Sequence, residues 1–125
     1  MISRFFIFVL ACSFFMGLRA STIVNMDGPV AKFVQEQIAK DAVVIFSKSY
    51  CPYCKMAKEV FDKLSQSYFA VELDQRDDGE AIQDVLKEIT GARSVPRVFV
   101  KGNFVGGGSD VKALHEKGEL QKLLE

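Results

Sequence analysis

Apolar positions change period several times along the chain, and each change marks an element. After Asp27-Gly28-Pro29, the residues Val30, Phe33, Val34 and Ile38 fall on one face of a helix that ends near Lys40. The β-branched run Val43-Val44-Ile45-Phe46 then predicts a strand over 42–47. Met56, Val60, Phe61 and Leu64 return to helical spacing and predict a helix over 52–66. Alternation resumes after Ser65-Gln66-Ser67 in Phe69-Ala70-Val71-Glu72-Leu73, a second strand. A strand–helix–strand crossover of this kind implies parallel pairing.

Beyond the polar connection from Asp74 to Gly79, Ile82, Val85, Leu86 and Ile89 define a helix over Glu80–Thr90, with Gly91 as its stop. Two short strands, Arg97–Val100 and Asn103–Val105, flank Lys101-Gly102 and predict a hairpin. Gly106-Gly107-Gly108-Ser109-Asp110 leads into a last helical region whose apolar residues are Val111, Leu114, Leu120, Leu123 and Leu124, with a break at Gly118. The order α-β-α-β-α-β-β-α predicts an α/β sandwich around a mixed four-stranded sheet flanked by helices.

The first twenty residues stand apart from this pattern. Arg4 precedes an apolar run from Phe5 to Met16, and no acidic residue occurs before Asp27. The run is short for a bilayer span but matches the apolar core of a secretory signal peptide. Cleavage after Ala20 fits, although Leu18 is larger than the residue usual three positions back. An uncleaved anchor and a mitochondrial presequence are the alternatives, the latter ranked lower because presequences are amphipathic and richer in Arg. The expectation is a leader over 1–20 and one domain over 27–125, bound for the secretory pathway, with mitochondrion or cytoplasm as the alternative.

Composition narrows the function classes. With 125 residues the chain suits a single domain, and 16 Lys plus Arg balance 16 Asp plus Glu, so charge gives no reason to expect nucleic acid as a partner. Loss of Arg4 and Arg19 with the leader leaves 14 basic against 16 acidic residues, a formal charge of −2. Eleven Phe and no Trp read as core filling. Cys12 would leave with the leader, so Cys51 and Cys54 alone remain, which argues against a disulfide-stapled scaffold.

Those two cysteines lie where the first strand meets the cysteine helix, in Ser47-Lys48-Ser49-Tyr50-Cys51-Pro52-Tyr53-Cys54-Lys55. The first turn of a helix offers free N–H groups and the positive end of the macrodipole, both favouring an anion. Cys51 is placed as N-cap, and Pro52 suits the first helical position. Cys54 comes one turn along the same face, near enough for a disulfide. These features, with Lys48 on the approach side, are expected to lower the Cys51 thiol from its reference of about 8.5. Cys51 is then the attacking thiolate and Cys54 the resolving thiol. Zinc would need about four ligands, and His115 and Cys12 are all the further Cys or His the chain offers, so no metal is expected. A structural disulfide closing so short a loop would restrain little. Strand, Cys-x-x-Cys and helix in that order favour redox chemistry.

Over about residues 29–125 the chain resembles a dithiol glutaredoxin. The resemblance rests on Cys51-Pro52-Tyr53-Cys54, Ser94-Val95-Pro96, and Gly106-Gly107 followed by Ser109-Asp110. It implies a thioredoxin-like fold with Pro96 as a cis-proline opposite the cysteine helix. It also implies glutathione as the reductant co-substrate. Lys48 and Gln83 would hold the glycine carboxylate, and the Val95 backbone the cysteine portion. Ser109 and Asp110 would meet the γ-glutamyl end at a helix start, with Tyr53, Pro96 and Gly107 completing the surface. The implied activity is reduction of protein disulfides and protein–glutathione mixed disulfides by a monomer. A thioredoxin-like or isomerase-like enzyme indifferent to glutathione is the first alternative. A dimer sharing an iron–sulfur cluster is the second, and Pro52 weighs against it. Two departures from the family pattern are Ser94, where threonine is more usual, and Gly108, where many members carry a side chain. His115 receives no role.

Overall fold

The computed structural model describes residues 24–125, so the leader expected over 1–20 lies outside the described residues. The elements run α1 (Pro29–Lys40), β1 (Val43–Ser47), α2 (Pro52–Lys63), β2 (Phe69–Glu72), α3 (Gly79–Thr90), β3 (Arg97–Val100), β4 (Asn103–Gly106), α4 (Gly108–Glu116) and α5 (Glu119–Leu124). The sheet order is β2-β1-β3-β4. β1 and β2 are parallel, as the crossover requires, and the other two pairings are antiparallel.

β1 is the central strand, buried along its whole length, and its alternation divides the interior in two. Val44 and Phe46 face α1 and α3, joining Ala31, Val34, Ile82, Val85, Leu86 and Phe99. Val43 and Ile45 face α2, α4 and α5, joining Ala57, Phe61, Val98, Val111 and Leu120. Because side chains on a strand alternate between faces, one short run serves both cores. Helices therefore cover both faces of the sheet, and a four-stranded mixed sheet flanked by helices is observed as expected.

The ends of α2 and β2 differ from the sequence pattern, and the break at Gly118 agrees with it. The cysteine helix stops at Lys63, three residues early, because Ser65 adopts a left-handed φ of 54°. The amide of Gln66 then donates to the Phe61 carbonyl and that of Ser65 to the Asp62 carbonyl, which satisfies the helix end. No glycine marks this stop. β2 ends at Glu72, and Leu73–Gln75 form a single 3-10 turn. The last helical region is two helices, divided at Gly118 with φ of 74° as its glycine suggests.

Gly79 opens α3 where a Cβ would stand 2.1 Å from the Leu73 carbonyl oxygen, a backbone atom with no room to withdraw. Gly79→Ala is expected to destabilise the fold by about 2 kcal/mol, as overpacking of a tight contact does. Urea unfolding measures it, and an unchanged midpoint would contradict it.

Candidate active site

The loop from β1 to α2 is held from both sides. Ser49 donates both its amide, at 3.0 Å, and its hydroxyl to the Asp74 carboxylate, and the Cys51 amide donates to the Lys48 carbonyl at 3.0 Å. Those Ser49 bonds, with the Lys48 charge nearby, hold the Asp74 carboxyl below its usual range. The loop thus delivers Cys51 to the start of α2 as its N-cap, where the sulfur accepts the Cys54 amide N–H at 3.3 Å. Pro52 occupies the first turn, as its missing N–H allows.

Across from this helix the Val95–Pro96 peptide bond is cis, and the Val95 carbonyl lies 3.9 Å from Cys51 Sγ. Tyr53, Val95, Pro96, Gly107, Ser109 and Asp110, all expected in the site, line one cleft of about 230 Å³ together with Ser94, Arg97 and Gly108. Its far wall is the start of α4. There the Gly107 amide donates to Asp110 Oδ2 at 2.9 Å, tying the first turn to its own carboxylate. Gly108 packs directly on α2, and a Cβ there would stand 2.7 Å from the Tyr53 carbonyl oxygen. This departure from the family pattern therefore lets α4 approach the cysteine helix closely.

Cys51 and Cys54 stand beside that cleft and not in its lining, and two of the residues expected to bind glutathione also lie outside it. Lys48 sits half-buried in the loop beside Asp74. Gln83 is buried on α3, and its side-chain amide donates to the Arg93 carbonyl at 2.8 Å, bracing the segment that leads into Ser94. Arg97, which no motif in the sequence singles out, also lines the cleft. It donates to the hydroxyls of Thr90 and Ser94 at 3.3 and 3.2 Å, lies 5.0 Å from the centre of the Phe104 ring, and leaves its buried Nε without a partner. Desolvation in this position lowers its pKa, with Asp110 opposing. The available signal was a charged residue opening a strand otherwise made of Val98, Phe99 and Val100.

The two thiols differ in kind. Cys51 is partly exposed, between Tyr50 and Tyr53, which are 72% and 56% exposed. Cys54 is fully buried, and burial, then its hydrogen bond with Cys51, push its thiol up to about 11. At pH 9 about one Cys54 in a hundred is thus a thiolate. Iodoacetamide at pH 7 to 9 is expected to modify Cys51 and to reach Cys54 only after unfolding. Mass spectrometry of the peptides would show it, and early label on Cys54 would contradict it.

Comparison with known proteins agrees with this geometry. The family model described as Glutaredoxin matches residues 43–105. Glutaredoxin-C4 of Arabidopsis thaliana is 54% identical over 96 residues, covering 77% of this chain and 71% of that protein. Mitochondrial glutaredoxin-2 of Mus musculus is 45% identical over 112 residues, covering 90% and 67%. Among solved structures, the buckwheat glutaredoxin–glutathione complex superposes with a TM-score of 0.74 at 41% identity, covering 76% of this chain and 86% of the other. With its thioredoxin-like fold and paired thiols at a helix start, the chain belongs to the glutaredoxin family of thiol–disulfide oxidoreductases.

Proposed function

We infer that the domain over 27–125 is a dithiol glutaredoxin that uses glutathione to reduce protein disulfides and protein–glutathione mixed disulfides. One observation carries the reading: a cleft of about 230 Å³ with polar groups along it is lined by Val95, whose carbonyl lies 3.9 Å from the sulfur of the partly exposed Cys51. The Cys51 sulfur attacks the glutathione sulfur of a mixed disulfide, the protein thiolate leaves, and a second glutathione regenerates Cys51 as glutathione disulfide forms. With a protein disulfide, Cys51 forms a mixed disulfide that Cys54 resolves, and glutathione then reduces the Cys51–Cys54 pair.

Glutathione would lie in the cleft with its cysteine portion along the Val95 backbone and beside Tyr53 and Pro96. Its γ-glutamyl end would meet Gly107, Ser109 and Asp110 at the start of α4, where free N–H groups suit a carboxylate. Lys48 would serve the glycine end, whereas Gln83, expected beside it, is buried and braces the segment that leads into Ser94 instead. The buckwheat relative's complex with glutathione supports this choice of ligand. The leader remains an expectation for the secretory pathway, with mitochondrial import as the alternative that the mouse relative's name favours.

The test is reduction of a glutathione mixed disulfide by the full chain, with glutathione, its reductase and NADPH supplied. Turnover that saturates with the mixed disulfide is expected. Turnover with thioredoxin reductase and none with glutathione would overturn the reading.

A further inference from the structure

Cys51 stands between two tyrosines in different surroundings. Tyr53 lines the cleft with Val95 and the start of α4, whereas Tyr50 does not. Tyr50 is nevertheless the more exposed, at 72% against 56%, and no other large apolar side chain among the described residues is as open. Its backbone, in contrast, is held. Ser49 and Tyr50 are the central residues of a turn closed by the bond from the Cys51 amide to the Lys48 carbonyl at 3.0 Å. The register that pairs Ser47 with Glu72 continues past the strand ends and brings Ser49 to Asp74, whose carboxylate accepts the Ser49 amide at 3.0 Å and its hydroxyl as well. The ring is thus carried on a pinned turn, on a residue whose Cα is about 3.8 Å from that of the reacting cysteine. An aromatic ring presented on a fixed backbone offers contact area at low cost in conformational entropy.

We propose that Tyr50 docks the protein half of a glutathionylated substrate and selects proteins that carry an apolar side chain next in sequence to the modified cysteine. This docking role rests on the use of glutathione proposed above. A disulfide partner must bring its sulfur to Cys51, so the surface around that sulfur meets every substrate protein. With glutathione in the cleft beside Tyr53 and Val95, the protein half lies outside the cleft, and Tyr50 is the open apolar group there. The Cys51 sulfur bonds to the glutathione sulfur, the bond from glutathione to the partner's cysteine breaks, and the electron pair leaves with the partner's sulfur, which takes a proton from water. During this exchange only the glutathione sulfur separates the partner's sulfur from that of Cys51, a span of two S–S bonds of about 2 Å each. The partner's residues flanking its cysteine therefore come within reach of the residue flanking Cys51. Local charge favours an apolar flank over a cationic one. Lys48 precedes Tyr50 by two residues, exposed Lys55 lies one turn beyond Cys51, and Asp74, the carboxylate bonded to this loop, is engaged by both Ser49 bonds. A lysine or arginine that would otherwise stack on the ring meets like charge there.

Three short peptides, each with one glutathionylated cysteine flanked on both sides by leucine, glycine or lysine, separate docking from chemistry when the full chain reduces them with glutathione, its reductase and NADPH supplied. In the wild type kcat/KM is expected to be about tenfold higher for the leucine peptide than for the other two, a difference within the range for one interface side chain. Tyr50→Ala is expected to remove that advantage by raising KM at unchanged kcat, the mark of lost binding. The same variant should turn over the glycine peptide and the mixed disulfide of glutathione with 2-mercaptoethanol at the wild-type rate, and Tyr50→Phe, which keeps the ring, should retain the preference. Equal kcat/KM for the three peptides in the wild type, a lysine peptide as good as the leucine one, or a preference that survives in Tyr50→Ala would overturn the docking role. A loss in Tyr50→Ala that extends to the small mixed disulfide would overturn it too, since that marks a disturbed Cys51 loop. No wild-type turnover on any of these glutathione disulfides would instead remove the use of glutathione, and the docking role with it.

Discussion

Replacing Cys51 by Ser is expected to abolish turnover on every disulfide substrate, and replacing Cys54 by Ser to spare deglutathionylation while removing the dithiol route. A hydroxyl has neither the acidity nor the nucleophilicity of a thiol, so the loss at Cys51 is on the order of a thousandfold or more. Cys54 is fully buried, and on the proposed mechanism it enters only when a mixed disulfide must be resolved from within the protein. Where a second glutathione can do that work from solvent, Cys54 is dispensable. The coupled assay with a glutathione mixed disulfide, run beside an assay on a protein disulfide, distinguishes the two variants. Retained turnover in Cys51→Ser would contradict the assignment of attacking and resolving thiols.

The largest stability effect is expected at Phe46. Its ring is fully buried next to the active-site loop and meets Phe99 edge-on, with centroids 5.8 Å apart. Phe46→Ala removes that contact and leaves a cavity between β1, β3 and the helices above them, costing about 3–5 kcal/mol. Folded domains of this size have about 5–15 kcal/mol in all, so the variant stands near the edge of folding. Urea denaturation is the measurement. A lowered midpoint with unchanged slope is expected, and a shift of less than about 1 kcal/mol would mean that the core closes over the gap.

Most of the architecture was legible because the local signals agreed with one another. Periodicity changed where elements changed, Pro52 and Gly91 stood at helix ends, and Lys101-Gly102 joined β3 to β4 with both residues at positive φ. The end of α2 was not legible, since Ser65 takes the left-handed conformation that a glycine would have announced. The two thiols and the three segments around the cleft were readable from motifs, because chemistry fixed both residue type and spacing. Arg97 and the Ser49–Asp74 pairing were not. Each depends on which residues become neighbours across strands, and register is not written in any single stretch of chain. Gln83 illustrates the same limit from the other side: its place on α3 was clear, but its bond to the Arg93 carbonyl needed the fold.

The placement of β1 at the centre of the sheet also bears on how the domain is made. Its partner β2 follows one helix later, but β3 and the Val95 carbonyl come from much further along, Val95 being 44 residues beyond Cys51. Pairings at such separation carry a large loop-closure cost and form late. On a ribosome, both cysteines are synthesised well before the segments that cover Cys54 and face Cys51. Until β3 joins the sheet, Cys51 lacks the Val95 carbonyl that faces it in the finished fold, so the surroundings of the attacking sulfur are completed by one of the later pairings of the domain.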